Sequence, residues 1–443
     1  MLDKTKLEFF ASAYASHFET TLSHIRGALS ESGIDALVIH SGTGLKKSSF
    51  DDQYWPIKAT PALTHFLPLQ EEDGALLIDK DKVTYFRGME KSFWEGPSPL
   101  EADYFWNHIE LVECSPEEIK KHLPSKNLAA IVDENPPPIP WLTKDIKINP
   151  PAFIEKLHDI RAIKTPYELA CLGEANRRAS FGHEAIKDLF LEGCNSELSL
   201  LCRYLEATGQ DAHQTPYQSI VALGKHAAIL HHVQYKASSI EKNESLLVDA
   251  GATCLGYGSD ITRTYTRGAT AQSKEFSALI SKLLELQNKV IETMKEGLAY
   301  EDLHETSHRL LAGVLIESEL AFGSPDALVD QGITRTFFPH GLGHSLGIQT
   351  HDVGCKKNKP RPHNPFLRTT VTLKAGHVMT IEPGCYFIAP LLQKLAASKE
   401  KALVNWPKID ALRPMGGIRI EDNIALTHDN LVNLTRDNWC KNS

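Results

Sequence analysis

Along the first 160 residues of the chain, segments with apolar residues at helical spacing alternate with short apolar runs of strand length. Apolar side chains recur every three or four positions from about Leu7 to Glu31, which predicts a long helix. Ser115 and Glu118 form a capping box, which predicts the start of a shorter helix. Five short apolar runs of strand length accompany these helices: ALVIHSG, GALLID, KVTYFRG, ELVEC and LAAIVDE. The pattern predicts a small α/β domain over residues 1–160.

A second capping box, from Thr165 to Glu168, opens the rest of the chain and predicts a long helix through LACLGEANRRASFGHEAIKDLF. Further helices are predicted at about 196–207, 273–295 and 301–319, with strand patterns between and after them. We therefore expect a second domain over residues 161–443. It should be of the α+β class, with helices packed on an antiparallel sheet.

Several acidic side chains lie in the apolar or glycine-rich segments of this second domain. A lone buried carboxylate is costly, and bound cations would remove that cost. Four acids and one imidazole form a hard, oxygen-rich donor set that suits Mn²⁺ better than a thiolate-preferring ion. The candidate metal ligands are Asp249, Asp260, His344, Glu382 and Glu421. The pattern is typical of a two-metal hydrolase.

Other interpretations of the individual residues stay open. Asp249 and Asp260 are separated by AGATCLGYGS, so two antiparallel strands could bring them together, but each could also cap a turn. Arg419 could form an ion pair with a neighbouring acid. In HGLGHSLG, two glycines disfavour a helix, and the glutamate of an HExxH zinc site is missing. A structural role for one histidine is as plausible as metal binding.

Composition excludes some classes of protein. The net charge is −9 and no basic stripe is present, so we expect no nucleic-acid partner. The eight cysteines form no CxxC pair, which is typical of a reducing compartment. The first residues lack the apolar run of a signal peptide, and no segment is apolar for long enough to cross a bilayer. We expect a cytoplasmic protein that does not contact membranes.

The segments LLVDAGA, SDITRT, HGLGHSLG, TIEPG and GIRIEDN resemble the five metal-ligand segments of the pita-bread metallopeptidases. Within that family they are most similar to the bacterial Xaa-Pro dipeptidases, or prolidases, and RAIKTPYELACLGEAN and TPYQSIVAL extend the similarity. The resemblance implies an N-terminal creatinase-like α/β domain, a C-terminal pita-bread domain and a homodimer. The implied cofactors are two divalent metal ions per subunit.

The resemblance also implies a role for each ligand. Asp249 would bind one metal and His344 the other, while Asp260 and Glu421 would contact both. Glu382 would be a ligand and the acid/base group, and the two metals would activate a water molecule. Two histidines outside the ligand set, His231 and His351, would stabilise the tetrahedral oxyanion.

The implied substrates are dipeptides with a C-terminal proline. An Xaa-Pro bond is a tertiary amide without an N–H, so its recognition needs a dedicated pocket. Arg368, in NPFLRTT, corresponds to the family arginine that holds the substrate carboxylate, and longer peptides would lack a carboxylate there. Further substrate-binding candidates are Tyr217, His340, Arg419 and, on a loop reaching the neighbouring subunit, Asp52.

Departures from the family pattern at Ser345, Thr350 and Cys355 concern substrate preference and not the ligand set. Three hypotheses follow. The first is an Xaa-Pro dipeptidase with possible side hydrolysis of organophosphorus triesters, and the second is an aminopeptidase P. The third is a pita-bread binding protein without catalytic activity. The intact ligands and Arg368 favour the dipeptidase.

Overall fold

The structure is a computed structural model that describes residues 4–88, 102–124, 127–133, 138–240 and 243–440. The chain divides into two compact units, Met1–Ala170 and Cys171–Ser443. The domain boundary predicted between residues 160 and 161 falls shortly before this division and stays a prediction. In the described ranges, no helix is both long enough and apolar enough to cross a membrane.

The first unit is built around a six-stranded mixed sheet. Its elements in chain order are α1 (Lys4–Glu31), β1 (Ala36–His40), α2 (Pro61–Thr64), β2 (Ala75–Ile78), β3 (Val83–Gly88), β4 (Glu110–Cys114), α3 (Pro116–His122), β5 (Leu128–Ile131), β6 (Lys147–Ile148) and α4 (Pro151–Ala162). The strand order is β4-β3-β2-β1-β5-β6, with β2 antiparallel to both of its neighbours. The remaining pairs are parallel. The α/β prediction for this unit is confirmed.

Local sequence explains most of the first unit. Every residue of β1 is buried, as expected for an apolar central strand. Helix α3 begins with the predicted capping box, in which the Ser115 backbone N–H donates to Glu118 Oε2 at 3.3 Å. Helix α1 ends at Glu31 as predicted and begins at Lys4, a few residues before the predicted start. All five predicted strands form.

The second unit contains longer helices and shorter strands. Its helices are α5 (Pro166–Leu191, which crosses the division), α6 (Glu197–Thr208), α7 (Ala271–Thr293), α8 (Tyr300–Glu317), α9 (Pro325–Asp330), α10 (Ile333–Phe337), α11 (Ala389–Ala396), α12 (Trp406–Leu412) and α13 (Leu434–Asp437). Its strands are β7 (Ile220–Leu223), β8 (Ser245–Asp249), β9 (Thr253–Cys254), β10 (Tyr257–Gly258), β11 (Thr262–Thr266), β12 (Val378–Ile381), β13 (Gly384–Tyr386), β14 (Gly417–Arg419), β15 (Asp422–Leu426) and β16 (Leu431–Asn433).

The strands of the second unit pair in the antiparallel sense in the orders β11-β8-β7, β12-β15-β16, β13-β14 and β10-β9. The predicted antiparallel arrangement is therefore confirmed, although as several short sheets and not as one. Isolated bridges extend the pairing, such as the bridge between Thr262 and Glu421. Helix α7 contacts β11, β12 and β14. It buries a stripe at helical spacing that consists of Phe276, Leu279, Leu283, Leu286 and Val290.

Candidate metal centre

The strand register places three of the predicted ligands together. Asp249, at the end of β8, lies opposite Thr262 of β11, and Thr262 is in turn bridged to Glu421. Directly opposed residues on neighbouring strands have closely spaced side chains. Asp260 precedes β11, where its backbone N–H donates to Asn423 Oδ1 at 3.0 Å and its carbonyl accepts from Asn423 Nδ2. The two aspartates therefore meet as the antiparallel interpretation predicted.

The segment HGLGHSLG bends at His340, Leu342 and Gly347, and between the bends it pairs with the residues around β12. Glu382 N–H donates to the Leu342 carbonyl at 2.8 Å, and Thr380 N–H donates to the His344 carbonyl at 2.9 Å. The expected absence of a helix is confirmed, and Ser345 forms an antiparallel bridge with Met379 of β12. Gly343 allows it, because a Cβ there would lie 2.2 Å from the Thr380 carbonyl oxygen and 2.5 Å from the Tyr300 hydroxyl.

These pairings bring the five predicted ligands into one buried cluster. His344 Nε2 lies 3.3 Å from Asp260 Oδ2 and 3.7 Å from Glu382 Oε1. Ligand atoms of Asp260, His344 and Glu421 all lie within 4.8 Å of one another, which is close enough for a shared metal ion. The cluster is completed by Asp249, whose charge raises the pKa of Asp260. All five side chains are buried or nearly so.

The cluster contains more negative charge than its neighbours compensate. Arg419 pairs with Asp249 at 2.6 Å, but no described lysine or arginine lies within ion-pair distance of Asp260, Glu382 or Glu421. Burial, and then the charge of neighbouring carboxylates, raises the pKa of each of these three acids well above its usual value. Divalent cations would stabilise such carboxylates in their charged form. The donor set therefore fits a divalent metal centre.

In the described ranges, two other groups of histidine and glutamate differ from this cluster, because hydrogen-bond donors compensate the charge of their carboxylates. Glu197 accepts from His226 Nδ1 at 2.7 Å and from His232 Nε2 at 3.0 Å. Burial opposes ionisation there, but the hydrogen bonds outweigh it, and the Glu197 pKa is lowered. In the first unit, Glu168 lies between His17 and His65, and its pKa is lowered to about 2, again against the effect of burial. Both carboxylates are already stabilised by donors, so neither group requires a metal.

A second layer of hydrogen bonds holds the Asp249 side of the centre. Tyr217 OH donates to Asp249 Oδ1 at 2.7 Å. Arg419, only 4% exposed, also donates to the Tyr386 hydroxyl at 3.0 Å. His340 Nε2 lies 2.8 Å from the same hydroxyl. Burial, and then the Arg419 charge, lowers the His340 pKa to about 3, so that imidazole is neutral. The ion-pair interpretation of Arg419 is thus confirmed, and a substrate contact by Arg419 stays a prediction.

Three predicted site residues lie near the centre outside the ligand set. The His351 ring packs at 87° on the His344 ring, with 4.4 Å between ring centroids. His231 is exposed, while its neighbour His232 points inward to Glu197. Loss of hydration is the main cause that lowers the pKa of His344 and of His351, and the positive charge of Arg368 lowers both further.

The remaining candidate, Asp52, belongs to the first unit. It is exposed and accepts from Gln53 Nε2 at 3.2 Å. Nothing in the described contacts connects it with the metal centre, and its role stays a prediction.

Sequence analysis missed two polar residues that position the ligands. Thr262 Oγ1 donates to Glu421 Oε2 at 2.7 Å. Gln287, fully buried on α7, donates through Nε2 to the carbonyls of Ile381 at 2.8 Å and Ile420 at 3.2 Å. These two isoleucines immediately precede Glu382 and Glu421. The signal for Gln287 was a polar residue within the apolar stripe of α7.

Comparison with known proteins identifies relatives that match nearly the whole chain. The chain is 37% identical to Xaa-Pro dipeptidase of Pseudoalteromonas atlantica and 39% identical to that of Shewanella woodyi, in each case over 97% of this chain and 99% of the relative. Among solved structures, zinc-substituted aminopeptidase P of Escherichia coli in complex with product is similar, with a TM-score of 0.71 and 23% identity over 95% of this chain and 96% of that chain.

At this identity the structural likeness concerns the fold, and it confirms the predicted creatinase-like N-terminal domain and pita-bread C-terminal domain. The sequence profile of the Xaa-Pro dipeptidase N-terminal domain matches residues 12–158. The profile of metallopeptidase family M24 matches residues 170–428, a range that includes all five predicted ligands. The chain therefore belongs to metallopeptidase family M24.

Proposed function

We propose that this protein hydrolyses dipeptides with a C-terminal proline and releases free proline. The family and the relatives named Xaa-Pro dipeptidase support this substrate class. The observation that carries the choice of a dipeptide is Arg368. Its side chain is exposed, its charge lowers the pKa of His344 and of His351, and it makes no hydrogen bond or ion pair with any residue that the structure describes. A cation without a partner at this place is suited to a substrate carboxylate.

The metal centre would use two divalent ions, and Mn²⁺ fits the oxygen-rich donor set. Asp249, Asp260, His344, Glu382 and Glu421 would hold them, and the bound ions would activate a water molecule and polarise the scissile carbonyl. Glu382 would accept the water proton on its carboxylate and pass it to the leaving proline nitrogen.

His231 and His351 would donate hydrogen bonds to the oxyanion that develops on the scissile carbonyl. A neutral imidazole can do this through its single N–H group. Burial and the charges of His344 and Arg368 lower the His351 pKa to about 3, which keeps that ring neutral across the physiological pH range. His351 would therefore act as a hydrogen-bond donor and not as a general acid.

The substrate pocket would combine the carboxylate clamp with an enclosure for the proline ring. Arg368 would accept only a peptide that ends at proline, since a longer chain places an amide where the carboxylate should be. Tyr217, His340 and Arg419 would line the pocket next to Asp249. Asp52 would enter from a neighbouring subunit, and the proposal accordingly includes a homodimer in the cytoplasm.

The test compares Ala-Pro with Ala-Pro-Ala, using the Mn²⁺-loaded protein and a chelator control. We expect metal-dependent release of proline from the dipeptide and little cleavage of the tripeptide. Preferential cleavage of the tripeptide would instead identify an aminopeptidase P. No cleavage of either substrate by protein that retains bound metal would leave a binding protein and refute the proposal.

The same centre supports a weaker second activity, the hydrolysis of organophosphorus triesters. A metal-activated water molecule can also attack the tetrahedral phosphorus centre of a triester, so the same donors could serve both reactions. We expect kcat/KM for a triester such as paraoxon to be far below that for Ala-Pro. The opposite order would reverse the assignment of the main substrate.

A further inference from the structure

The clamp loop, residues 355–370, contains Arg368 and contacts helix α8 through Arg361, His363 and the buried Asn364. Asn364 is 3% exposed, and its Nδ2 group donates to Glu301 Oε1 at 3.0 Å and to Glu305 Oε1 at 2.7 Å. Its Oδ1 atom accepts from Arg335 Nη2 at 3.2 Å. All polar groups of this side chain are therefore used. Two carboxylates and one guanidinium allow only one orientation of the amide.

The same asparagine organises the backbone of the clamp loop. Its N–H donates to the Arg361 carbonyl at 2.8 Å, and its own carbonyl accepts from Leu367 N–H at 3.1 Å. Leu367, which directly precedes Arg368, is buried. These two backbone hydrogen bonds thus fix the loop on both sides of Asn364.

The other end of the clamp loop contacts the metal-ligand segment. A Cβ at Gly341 would lie 3.1 Å from Leu367 Cα and 3.2 Å from the Phe366 carbonyl oxygen. After Arg368, Thr370 exchanges two hydrogen bonds of 3.0 Å with the backbone of Asn358. The backbone at Arg368 is therefore fixed relative to His344, whereas the guanidinium itself is unpaired among the described residues.

The charges around the anchor are balanced. Glu301 and Glu305 face Arg361, Arg335 and His363, and the His363 ring lies 2.6 Å from Glu305. Burial opposes ionisation of Glu305, but the hydrogen bonds from Asn364 and His363 outweigh it and lower its pKa. Glu305 is therefore an acceptor at neutral pH. An acidic group at position 364 would meet two carboxylates.

We propose that Asn364, held by Glu301 and Glu305, is a positioning residue that sets the location of Arg368 and thereby the preference for peptides that end at proline. This inference rests on the proposed function and deepens it. A long arginine side chain loses much conformational freedom when it binds a carboxylate, and a fixed backbone reduces that cost. Loss of the anchor should therefore weaken ground-state binding of the substrate and leave the chemical step intact.

The experiment measures kcat and KM for Ala-Pro and Ala-Pro amide, which lacks the carboxylate, in the Mn²⁺-loaded protein. We expect Asn364→Ala to raise KM for Ala-Pro on the order of tenfold, the ratio that one lost contact produces, with kcat nearly unchanged. Asn364→Asp should have a larger effect because of charge repulsion. For Ala-Pro amide, the kcat/KM of both Asn364 variants should stay close to that of the wild-type protein.

The matched control is Asn430→Asp, in the surface turn between β15 and β16, where the asparagine contacts Thr427. This turn lies at the end of β15 remote from Glu421, and we expect no change in KM. A second control combines Asn364→Ala with Arg368→Ala. If Asn364 acts through Arg368, the double variant should have the KM of Arg368→Ala alone.

Three results would overturn the inference while the proposed function stands. These are an unchanged KM in both Asn364 variants, an equal loss for the acid and the amide, and additive effects in the double variant. Failure of the wild-type protein to cleave Ala-Pro would refute the proposed function itself. Melting temperatures of all variants identify any general loss of stability, and Glu305→Gln offers a milder perturbation of the same anchor.

Discussion

Replacement of Gly343 by alanine should disrupt the metal centre from the backbone side. Gly343 precedes His344 in the segment that pairs with β12, and its Cα faces Thr380 and Tyr300. Thr380 Oγ1 also accepts from His344 N–H at 3.0 Å, and Tyr300 OH donates to the Thr380 carbonyl at 2.7 Å. A methyl group at position 343 would collide with both partners of this bond.

The structure gives the size of the collision. The new Cβ would lie 2.2 Å from the Thr380 carbonyl oxygen, where ordinary contact begins at 3.4 Å, so these atoms must separate by about 1.2 Å. Overpacking of this kind costs about 1–3 kcal/mol. Loss of the Tyr300 hydrogen bond adds about 1 kcal/mol. We expect a destabilisation of about 2–4 kcal/mol and a displacement of His344 from Asp260.

Urea denaturation of the metal-free protein measures the first effect, and metal content after dialysis measures the second. The control is Gly313→Ala, within α8, where an added Cβ meets nothing within 4 Å. That variant should be more stable by about 0.5–1 kcal/mol, since alanine favours a helix. If Gly343→Ala had wild-type stability and full metal content, the close contact at Thr380 would be wrong and the reasoning refuted.

Three further predictions concern buried polar residues. Gln287→Leu should weaken metal binding without removing a ligand, because the carbonyls before Glu382 and Glu421 lose their shared hydrogen-bond donor. Calorimetry measures the metal affinity, and an unchanged affinity would contradict this prediction. Glu197→Ala removes an acceptor of four hydrogen bonds and should cost about 3–5 kcal/mol in urea denaturation, since two histidines and two backbone N–H groups lose their partner. Burial lowers the pKa of His183 to about 4. As the pH falls, His183 therefore binds a proton in the unfolded protein before it does so in the folded protein. Its contribution to stability is complete above pH 6.5 and falls by about 3 kcal/mol as the pH falls to 4. His183→Gln should flatten this part of the stability curve, and an equally steep curve would exclude the assignment.

Much of the metal centre could be predicted because its ligands lie in short segments with strong local signals. Asp249 and Asp260 flank a glycine-rich connection between two β-branched strands, and this pattern favours a hairpin wherever it occurs. A carboxylate at the end of an apolar strand is also informative by itself, because burial of an unpaired charge is so unfavourable. These arguments needed no knowledge of distant contacts.

Predictions were weaker where a distant segment decides the local structure. HGLGHSLG contains no β-branched residue and so gives no signal of a strand, yet β12 supplies hydrogen-bond partners for the residues between its bends. Asn364 illustrates the same limit. Asparagine is common in loops, and only the contacts of Asn364 with α8, about sixty residues earlier, reveal it as an anchor.

The order in which the ligands are synthesised has a consequence for how the centre is assembled in a cell. Asp249 and Asp260 leave the ribosome well before Glu382 and Glu421, and elongation at 5–20 residues per second separates Asp249 from Glu421 by roughly 10–30 s. During that interval β8 and β11 have no partner that could complete the site. If these residues hold the metal, the complete site can be loaded only after all five ligand segments have been translated.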